Sequence, residues 1–548
     1  MLSVMASLFL VALDQTIIST ALGRIVEEFH SFSSLSWIVT AYLLTTTITV
    51  PIAGKLSDIF GRRIMLLIGV AIFGAASLMS GLSGTVEQLI LWRAIQGIGG
   101  GIITANAFTI IGDLFAARER GRWQGLFGAV FGLSSVIGPL LGGWLADGQS
   151  VFGLTTDWRW TFYINVPVAI VAFIVIAVFC PMLKHSKKPV IDYAGAALLA
   201  LGLGTLVLAV DNTDKIFAQL LESTDISLLT LRLIMAAIVV AATAAFIWVE
   251  RKVREPILPL RFFENRNFVL IMGVATLFGA AFMGSILYLT QFNQQVFGAS
   301  PTESGLMLLP MVAGLMITSI ISGQIISRTG RYKIFMQIGI VVGTVMVFAL
   351  STLTPESTYI YEAIIMTLLG AGLGVVMPVI NLAVQNEFTQ QDLGVATSSS
   401  QLFRSLGSTI GVAMFGAVLT AGLATSLTNM EKDPYVQKLA QSDEARQFGD
   451  LTNYDTLLNL NMPETKQKVT VGFKEGIQDM PPAAQQEIMR EFTAEQAAYA
   501  HKVTHAFSDS LQRIFLVSSV LMLVATVLVF MLKEKPLRAA SPDQTPGV

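Results

Sequence analysis

Three charged residues stand where an apolar sequence does not ordinarily tolerate them: Asp14, Arg93 and Arg404. Asp14 lies near the middle of LSVMASLFLVALDQTIISTALGR, an apolar run from Leu2 to Arg24. That is the length a bilayer-spanning helix needs, about 20 residues. An ionised carboxylate at the centre of such a helix costs about 2.5–3.5 kcal/mol on insertion scales. A group kept at that cost is expected to face a protein-lined, partly wet cavity and to bind a proton, an ion or a partner there. At helical spacing Ser7, Leu10, Asp14, Ile18 and Ala21 share its face. Arg93 belongs to LILWRAIQGIGGGIITAN, with Gly97, Gly101 and Thr104 on one side of the helix. An arginine does not give up its proton, so its expected work is to lower the proton affinity of a nearby acid in one conformation. The competing reading is a guanidinium snorkelling to the interface. Arg404, in SSSQLFRSLGSTIGVA, either holds an anionic group or serves as a partner for backbone carbonyls. Glu362, Glu387, Asp113, Asp147 and Asp211 fall near the ends of apolar runs and are expected at the interface. Asp14 is then the one deep acid, and a multi-proton stoichiometry has no support.

These residues must be positioned by helices in a membrane. The chain is 53% apolar and only 13% charged, against about 25% charged in soluble domains. Fourteen apolar runs follow one another near 2–24, 36–55, 63–82, 87–111, 122–146, 161–182, 192–211, 228–250, 268–290, 303–326, 333–352, 359–385, 394–422 and 511–532. The expected fold class is therefore an all-α polytopic membrane protein. The first run is too long for a signal peptide, carries an acid and lacks a basic leader. The chain begins almost inside it, which leaves room for a short leader ahead of Met1. A single cysteine, Cys180, excludes an intramolecular disulfide. The net charge of −2 comes with no basic domain, so no nucleic-acid partner is expected.

Basic residues cluster on alternate connections: Lys55, Arg62 and Arg63; Arg118, Arg120 and Arg122; Lys184, Lys187 and Lys188; Arg251 to Arg266; Arg328, Arg331 and Lys333; Lys533, Lys535 and Arg538. The other short connections hold only Arg24, Arg159, Lys215 and Arg232. By the positive-inside rule both termini are expected in the cytoplasm of a cell, with the polar segment 425–510 outside. GKLSDIFGRR (Gly54 to Arg63) after run 2 is echoed by GQIISRTGRY (Gly323 to Tyr332) after run 10. Gly54, Gly61 and Arg62 thus match Gly323, Gly330 and Arg331. The expected organisation is a six-span bundle over 1–183, a two-span insert over 184–267, and a second six-span bundle over 268–548. Duplicated halves around a midplane site are the usual construction of secondary transporters.

Gly54 and Gly61 permit a tight turn, Asp58 can cap or pair, and Arg62 and Arg63 are expected to face anionic lipid. An isolated Gly-Arg-Arg would be an ordinary positive-inside loop, whereas the whole string and its echo are far more specific. The chain here resembles the major facilitator superfamily, whose signature loop between spans 2 and 3 this string matches. The resemblance implies a latch by Asp58 at the cytoplasmic gate, absent from the second copy, where Ser327 stands. Arg93, Gln96 and Gly97 are similar to the superfamily's span-4 motif, in which the arginine is linked to proton coupling. Gly138, Pro139, Gly142 and Gly143 in run 5 resemble the antiporter motif of its drug exporters. LDQTIISTAL (Leu13 to Leu22) and DWRWTFYINVP (Asp157 to Pro167) are similar to motifs of the fourteen-span drug:proton antiporter branch. The first departs at Gly23, where a proline is usual, and the second also reads as an aromatic belt.

What the resemblance implies is a proton-coupled efflux transporter, not an enzyme, that exports amphipathic or lipophilic compounds by alternating access. Asp14 and Arg93 would couple protons, while Gly54, Asp58, Gly61, Arg62, Gly138, Pro139 and Gly142 would serve the conformational change. Tyr42, Asn106, Tyr288, Gln291, Met377, Asn381, Gln401 and Arg404 are candidates for the cargo wall, being polar or polarisable within a run. Lipophilic cations would use Asp14 and aromatic rings, and a lipid-like or metabolite anion would use Arg404. An uptake symporter fits the run-5 motif less well. An intramembrane enzyme is disfavoured because His30, His185, His501 and His505 all lie outside the runs. No cofactor is expected: no P-loop occurs, so the proton gradient is the energy source. The expected partners are small amphipathic substrates, protons and the lipid of a bacterial plasma membrane, with the chain acting as a monomer. In the segment 425–510, helices are expected near Tyr435–Phe448 and Pro482–Ser508. His501 and His505 are four apart but lack the glutamate of a zinc protease motif, so a solvated helix without metal is expected.

Overall fold

The computed structural model describes the chain outside 32–33, 115–116, 152, 181–191, most of 211–225, 254–255, 389–391, 429, 441–453, 479, 536 and 538–548. Among the described residues, fourteen helices are long and apolar enough to cross a membrane. Spans 1 to 5 are Leu2–Glu28, Leu35–Phe60, Arg62–Gly81, Val86–Leu114 and Ala117–Ala146. Span 6 starts with a short helix, Trp160–Tyr163, and resumes as Asn165–Phe179. Spans 7 and 8, Tyr193–Val210 and Leu228–Glu250, pack mainly on each other. Span 9 is Arg266–Gln295; span 10 is Pro301–Met307 continued by Leu309–Thr329. Spans 11 to 14 are Lys333–Leu350, Tyr359–Glu387, Leu393–Ser426 and Pro482–Met531. A two-stranded hairpin, Ser150–Val151 with Leu154–Thr155, links spans 5 and 6. The end of the bundle that holds the Gly54–Arg63 and Gly323–Tyr332 turns is called the basic end below, and the opposite one the far end.

Close helix packing is set by glycines, because without a hydrophobic drive between helices in lipid, van der Waals contact decides association. A Cβ on Gly99 of span 4 would lie 2.7 Å from the Gly69 carbonyl and 2.7 Å from the Phe73 amide of span 3. Gly372 of span 12 has the same relation to the Gly339 carbonyl and the Gly343 amide of span 11, each at 2.7 Å. Their neighbours repeat the pattern: Gly97 and Gly101 rest on the Tyr42 and Thr46 carbonyls, and Gly370 and Gly374 on those of Met311 and Leu315. The sequence echo seen in one loop therefore extends through the packing of spans 2–4 and 10–12. Gly61 and Gly330 adopt positive φ (88° and 71°) at matching helix ends, which only glycine does without strain.

Arg62 and Arg63 do not face lipid. Arg62 is 4% exposed and turns back to donate to the Gly54 carbonyl (3.2 Å) and to Ser57 Oγ. Arg63 reaches the Ala177 carbonyl at the end of span 6. Arg63 thus satisfies a carbonyl that a helix end leaves unpaired, while Arg62 ties the turn back onto the last turns of span 2. The side chain of Asp58 lies outside the described residues.

The segment before span 14 is more folded than its composition suggests. It contains helices Pro434–Ala440, Tyr454–Asn459 and Pro463–Gly476. The remainder of the expected 435–448 helix lies outside the described residues. The helix expected at Pro482–Ser508 runs unbroken into span 14, since no Gly or Pro follows Pro482 before Met531. It is not simply solvated: Phe492, Tyr499 and Val503 are fully buried. Phe492 stacks on Phe473 (centroids 3.9 Å apart), and the Tyr499 hydroxyl donates to the Leu457 carbonyl at 2.5 Å. His501 and His505 lie on this helix with their Nε2 atoms 3.1 Å apart.

Gly99→Val should destabilise the full chain by about 1–3 kcal/mol, the range for overpacking a close contact. Gly323→Ala, whose Cβ meets nothing within 4 Å, should leave it unchanged. Thermal unfolding of the detergent-solubilised protein compares the two; equal effects would contradict the packing described.

Candidate functional site

Asp14 sits at the middle of span 1, on a face whose members Ser7, Leu10, Ile18 and Ala21 are, like it, buried. Its Oδ2 accepts from Arg93 Nη1 at 2.6 Å. Its Oδ1 accepts from Gln96 Nε2 and from Asn165 Nδ2, both at 2.8 Å. Arg93 Nε donates to the Ile38 carbonyl (3.3 Å), and its Nη1 also reaches Gln96 Oε1 (2.8 Å). The guanidinium lies over the Tyr42 ring, 4.4 Å from its centroid. Gln96 Nε2 further donates to Ser77 Oγ at 2.6 Å. Asp14, Arg93, Gln96, Asn165, Ser77 and Tyr42 are each 0% exposed.

Local sequence accounts for this convergence. Arg93 and Gln96 are one turn apart on span 4, and Gly97 lets that helix approach the span-2 backbone beneath Tyr42. The interruption at Ile164 restarts span 6 with Asn165 as its first helical residue. Just before it, Trp158 Nε1 donates to Glu28 Oε2 (2.6 Å) and Arg159 pairs with Glu28 Oε1 (2.7 Å), pinning the end of span 1. Five spans therefore enclose one carboxyl group. Every group facing its oxygens is a donor, an arrangement that fits the ionised form.

Two expectations change. Asp14 does not line a wet cavity in this conformation; it is sealed against Arg93. Arg93 does not snorkel; it is the buried counter-ion. Gln96 enters as a direct ligand of the carboxylate, and Asn165 and Ser77 had not been singled out. An amide heading an otherwise apolar run was the available signal for Asn165.

The run-5 glycines stand at a junction. Gly138 and Gly142 abut Thr16, Ile17 and Thr20 of span 1, while the Pro139 carbonyl abuts Gly305 of span 10. Further contacts join the first six spans to the last six. Gln294 Nε2 donates to the Thr20 carbonyl (3.1 Å), and Thr302 bonds to Asp147 at the far end. Thr47 and Thr409 hydroxyls meet at 3.0 Å at mid-depth. Gly54 packs beside Ser398 at the basic end. Between spans 4, 5, 10 and 12 lies an apolar cleft lined by Phe108, Phe127, Phe131, Leu315, Met377 and Asn381, with a cavity of 20 Å³. That is room for about one water.

Among the cargo-wall candidates, Met377 and Asn381 line this cleft. Gln401 Nε2 donates to Asn381 Oδ1 (3.2 Å) and Arg404 Nη2 to Gln401 Oε1 (2.7 Å), so Asn381, Gln401 and Arg404 form one hydrogen-bonded chain beside Met377. The other four are elsewhere. Tyr42 belongs to the Asp14 cluster. Tyr288 is packed against Phe415 with its hydroxyl on the Val412 carbonyl. Asn106 bonds within its own helix to the Ile102 carbonyl, and Gln291 is 1% exposed near the end of span 9. At the far end, cavities of 350 and 430 Å³ open beside Arg24 and Glu27. Thr465 and Lys468 line the first, Met462 and Lys466 the second, so the 454–476 helices roof the ends of spans 1 and 9. Burial lowers the proton affinity of the Lys466 ammonium there.

A duplicated helical bundle with a sealed ion pair in one half is the architecture of a membrane transporter, not of an enzyme. The chain belongs to the Major Facilitator Superfamily, whose profile matches residues 4–412. It is 38% identical over 480 residues to the multidrug transporter protein MdtP of Bacillus subtilis (strain 168), covering 86% of this chain and 85% of that protein. It is 35% identical over 452 residues to multidrug resistance protein 3 of the same organism, covering 82% and 84%. Among solved structures it shares the fold of a bacterial homologue of the human lysosomal transporter Spinster in an inward-facing, unoccupied conformation. That match has a TM-score of 0.60 at 14% identity, covering 98% of each chain. The protein is a polytopic transporter of this superfamily with multidrug-efflux relatives.

Asp14→Asn leaves the Arg93 charge buried without its anion, a change that costs about 3–5 kcal/mol. Adding Arg93→Gln should recover a large part of that loss. Denaturant unfolding of the single and double variants measures it, and strictly additive losses would contradict the pairing.

Proposed function

We propose that this protein exports amphipathic, mainly cationic compounds across the plasma membrane in exchange for protons. The sealed Asp14–Arg93 pair carries this reading, and the multidrug names of the relatives and the run-5 glycine-proline motif support it. Both termini and the basic end face the cytoplasm by the positive-inside rule. Two six-span halves, 1–183 and 268–548, rock about the cleft, with 184–267 as an insert.

The cycle follows from the chemistry of the pair. As a carboxylate held by three donors, Asp14 has no reason to take a proton. When the halves rock and part Arg93 from it, the carboxylate loses its counter-charge and takes up a proton from outside. The neutral acid no longer attracts the guanidinium, which shifts to its other partners, Gln96 and the Ile38 carbonyl. On return to the inward side the pair re-forms, expels the proton and favours cargo loading. Membrane potential adds about 2.3 kcal/mol per charge per 100 mV to the driving force. In this scheme Tyr42, Gln96 and Asn165 position the pair, while Met377, Asn381 and Gln401 touch cargo. Gly54, Asp58, Gly61 and Arg62 act at the inner gate, and Gly138, Pro139 and Gly142 at the outer.

A second reading, export of a lipid-like or metabolite anion, rests on Arg404. Among the described residues no carboxylate pairs with it, and its amide relay leads to the cleft.

Everted vesicles carrying wild-type protein should lose an imposed pH gradient when ethidium is added. Vesicles with an equal amount of Asp14→Asn should not, while still exchanging labelled for unlabelled ethidium. Gradient collapse by Asp14→Asn equal to wild type would contradict the assignment. Arg93→Ala should shift the pH profile of export, and an unmoved profile would remove Arg93 from the coupling step.

A further inference from the structure

Glu362 was expected at an interface because it lies in the first turn of span 12. It is instead 0% exposed. Among the described residues neither of its carboxyl oxygens has a hydrogen-bond partner, and the same holds for both polar side-chain atoms of Asn293. The Asn293 amide, near the end of span 9 and also 0% exposed, is the polar group acting on Glu362. The helices packed on span 12 include spans 5, 9, 10, 11 and 13. Among their described residues, none presents an ionised side chain that acts on Glu362. Tyr359, three residues earlier on its own helix, is its titratable neighbour.

A carboxylate with no counter-charge and only the Asn293 amide beside it is poorly tolerated in such a site, whereas a neutral acid is an ordinary occupant. The site is also next to a contact between the halves. Gln294, adjacent to Asn293, donates to the Thr20 carbonyl of span 1, and Gly23 abuts the same Gln294 side chain. Parting spans 1 and 9 there breaks that bond and admits water beside Asn293.

We propose that Glu362 is a second proton-binding site of this transporter, closed off by Asn293 and exchanging its proton with the outer medium when the Gln294–Thr20 contact opens. The inference rests on the proton-coupled reading above. It assigns Glu362 a proton held while the far end is shut and released once water and solvent cations reach the carboxyl. Asp14 and Glu362 then lie in different halves, one beside a fixed guanidinium and the other beside the Asn293 amide. That proton leaves on the side it came from, so it sets when the far end can shut and adds nothing to the protons that Asp14 carries across.

The test uses the full chain in liposomes. Ethidium–ethidium exchange is followed against outer pH for Asp14→Asn, which removes the other proton site, and for Asp14→Asn combined with Glu362→Gln, which mimics the permanently neutral acid. Raising the outer pH leaves Glu362 ionised and the far end unable to shut, so exchange by Asp14→Asn should slow severalfold while the double variant is unchanged; equal pH dependence in the two overturns the proposal. A second arm needs no transport. Dicyclohexylcarbodiimide, which reacts with protonated carboxyls in apolar surroundings, should modify Glu362 of the wild-type protein at neutral pH, as read by peptide mass spectrometry. Absence of that adduct overturns the proposal as well, and this arm decides alone if Glu362→Gln fails to fold. Should wild type move no protons with ethidium, the antiport reading fails and the place of Glu362 in a proton-driven cycle fails with it. The adduct then still reports whether the carboxyl is protonated, so the two failures are distinguishable.

Discussion

A single ion pair, Asp14 with Arg93, governs how the first six spans are built. Two unlike charges withdrawn from water each lose several kcal/mol of hydration, and attraction alone rarely restores it unless the remaining donors and acceptors are also satisfied. Here they are met by side chains from four further positions and one backbone carbonyl. Gln96 bridges acid, base and Ser77; Asn165 takes the free side of the carboxylate; Tyr42 supplies a ring face to the guanidinium. Removing any of them takes a partner from a fully buried polar group. In the proposed cycle this pair is the switching element: closed, its carboxylate is held by three donors; opened, it takes a proton.

Much of the scaffold exists to bring helices close enough for that pair. Glycines at 97, 99 and 101 let span 4 settle between spans 2 and 3, and their counterparts at 370, 372 and 374 do the same for span 12. The second half repeats the packing without repeating the charges. Met366 and Leu369 stand in the places of Arg93 and Gln96 in the matched glycine register. The halves thus share a shape but not a chemistry, and the last six spans carry instead Arg404 with its amide relay and, near the far end, Glu362.

Reading the chain by type and spacing located Asp14, Arg93, the fourteen spans and the loop echo, because each leaves a mark in composition or period. What escaped depends on which side of a helix meets which neighbour. Gln96 and Asn165 look like ordinary polar residues until the break at Ile164 and the approach at Gly97 aim them at one oxygen. Glu362 falls near a helix start, where acids usually meet water, but neighbouring helices cover that turn. Arg62 and Arg63 fit a basic membrane face, yet Arg62 turns back onto Gly54 and Ser57 and Arg63 reaches the end of span 6. The long final helix was legible in the absence of glycine and proline after Pro482, but the change from polar to apolar composition masked its continuity. Tyr42 and Tyr288 have the chemistry of cargo contacts, and only packing shows that both point elsewhere.

The claim beneath this account is that one carboxyl alternates between a guanidinium and a proton. Infrared difference spectroscopy of the full chain in liposomes, on stepping from alkaline to acidic medium, observes it without relying on transport. The account predicts a protonated-carboxyl band that is absent from Asp14→Asn and appears at higher pH in Arg93→Gln, where the competing charge is gone. A spectrum with no band assignable to Asp14 across the pH range in which export occurs would contradict it.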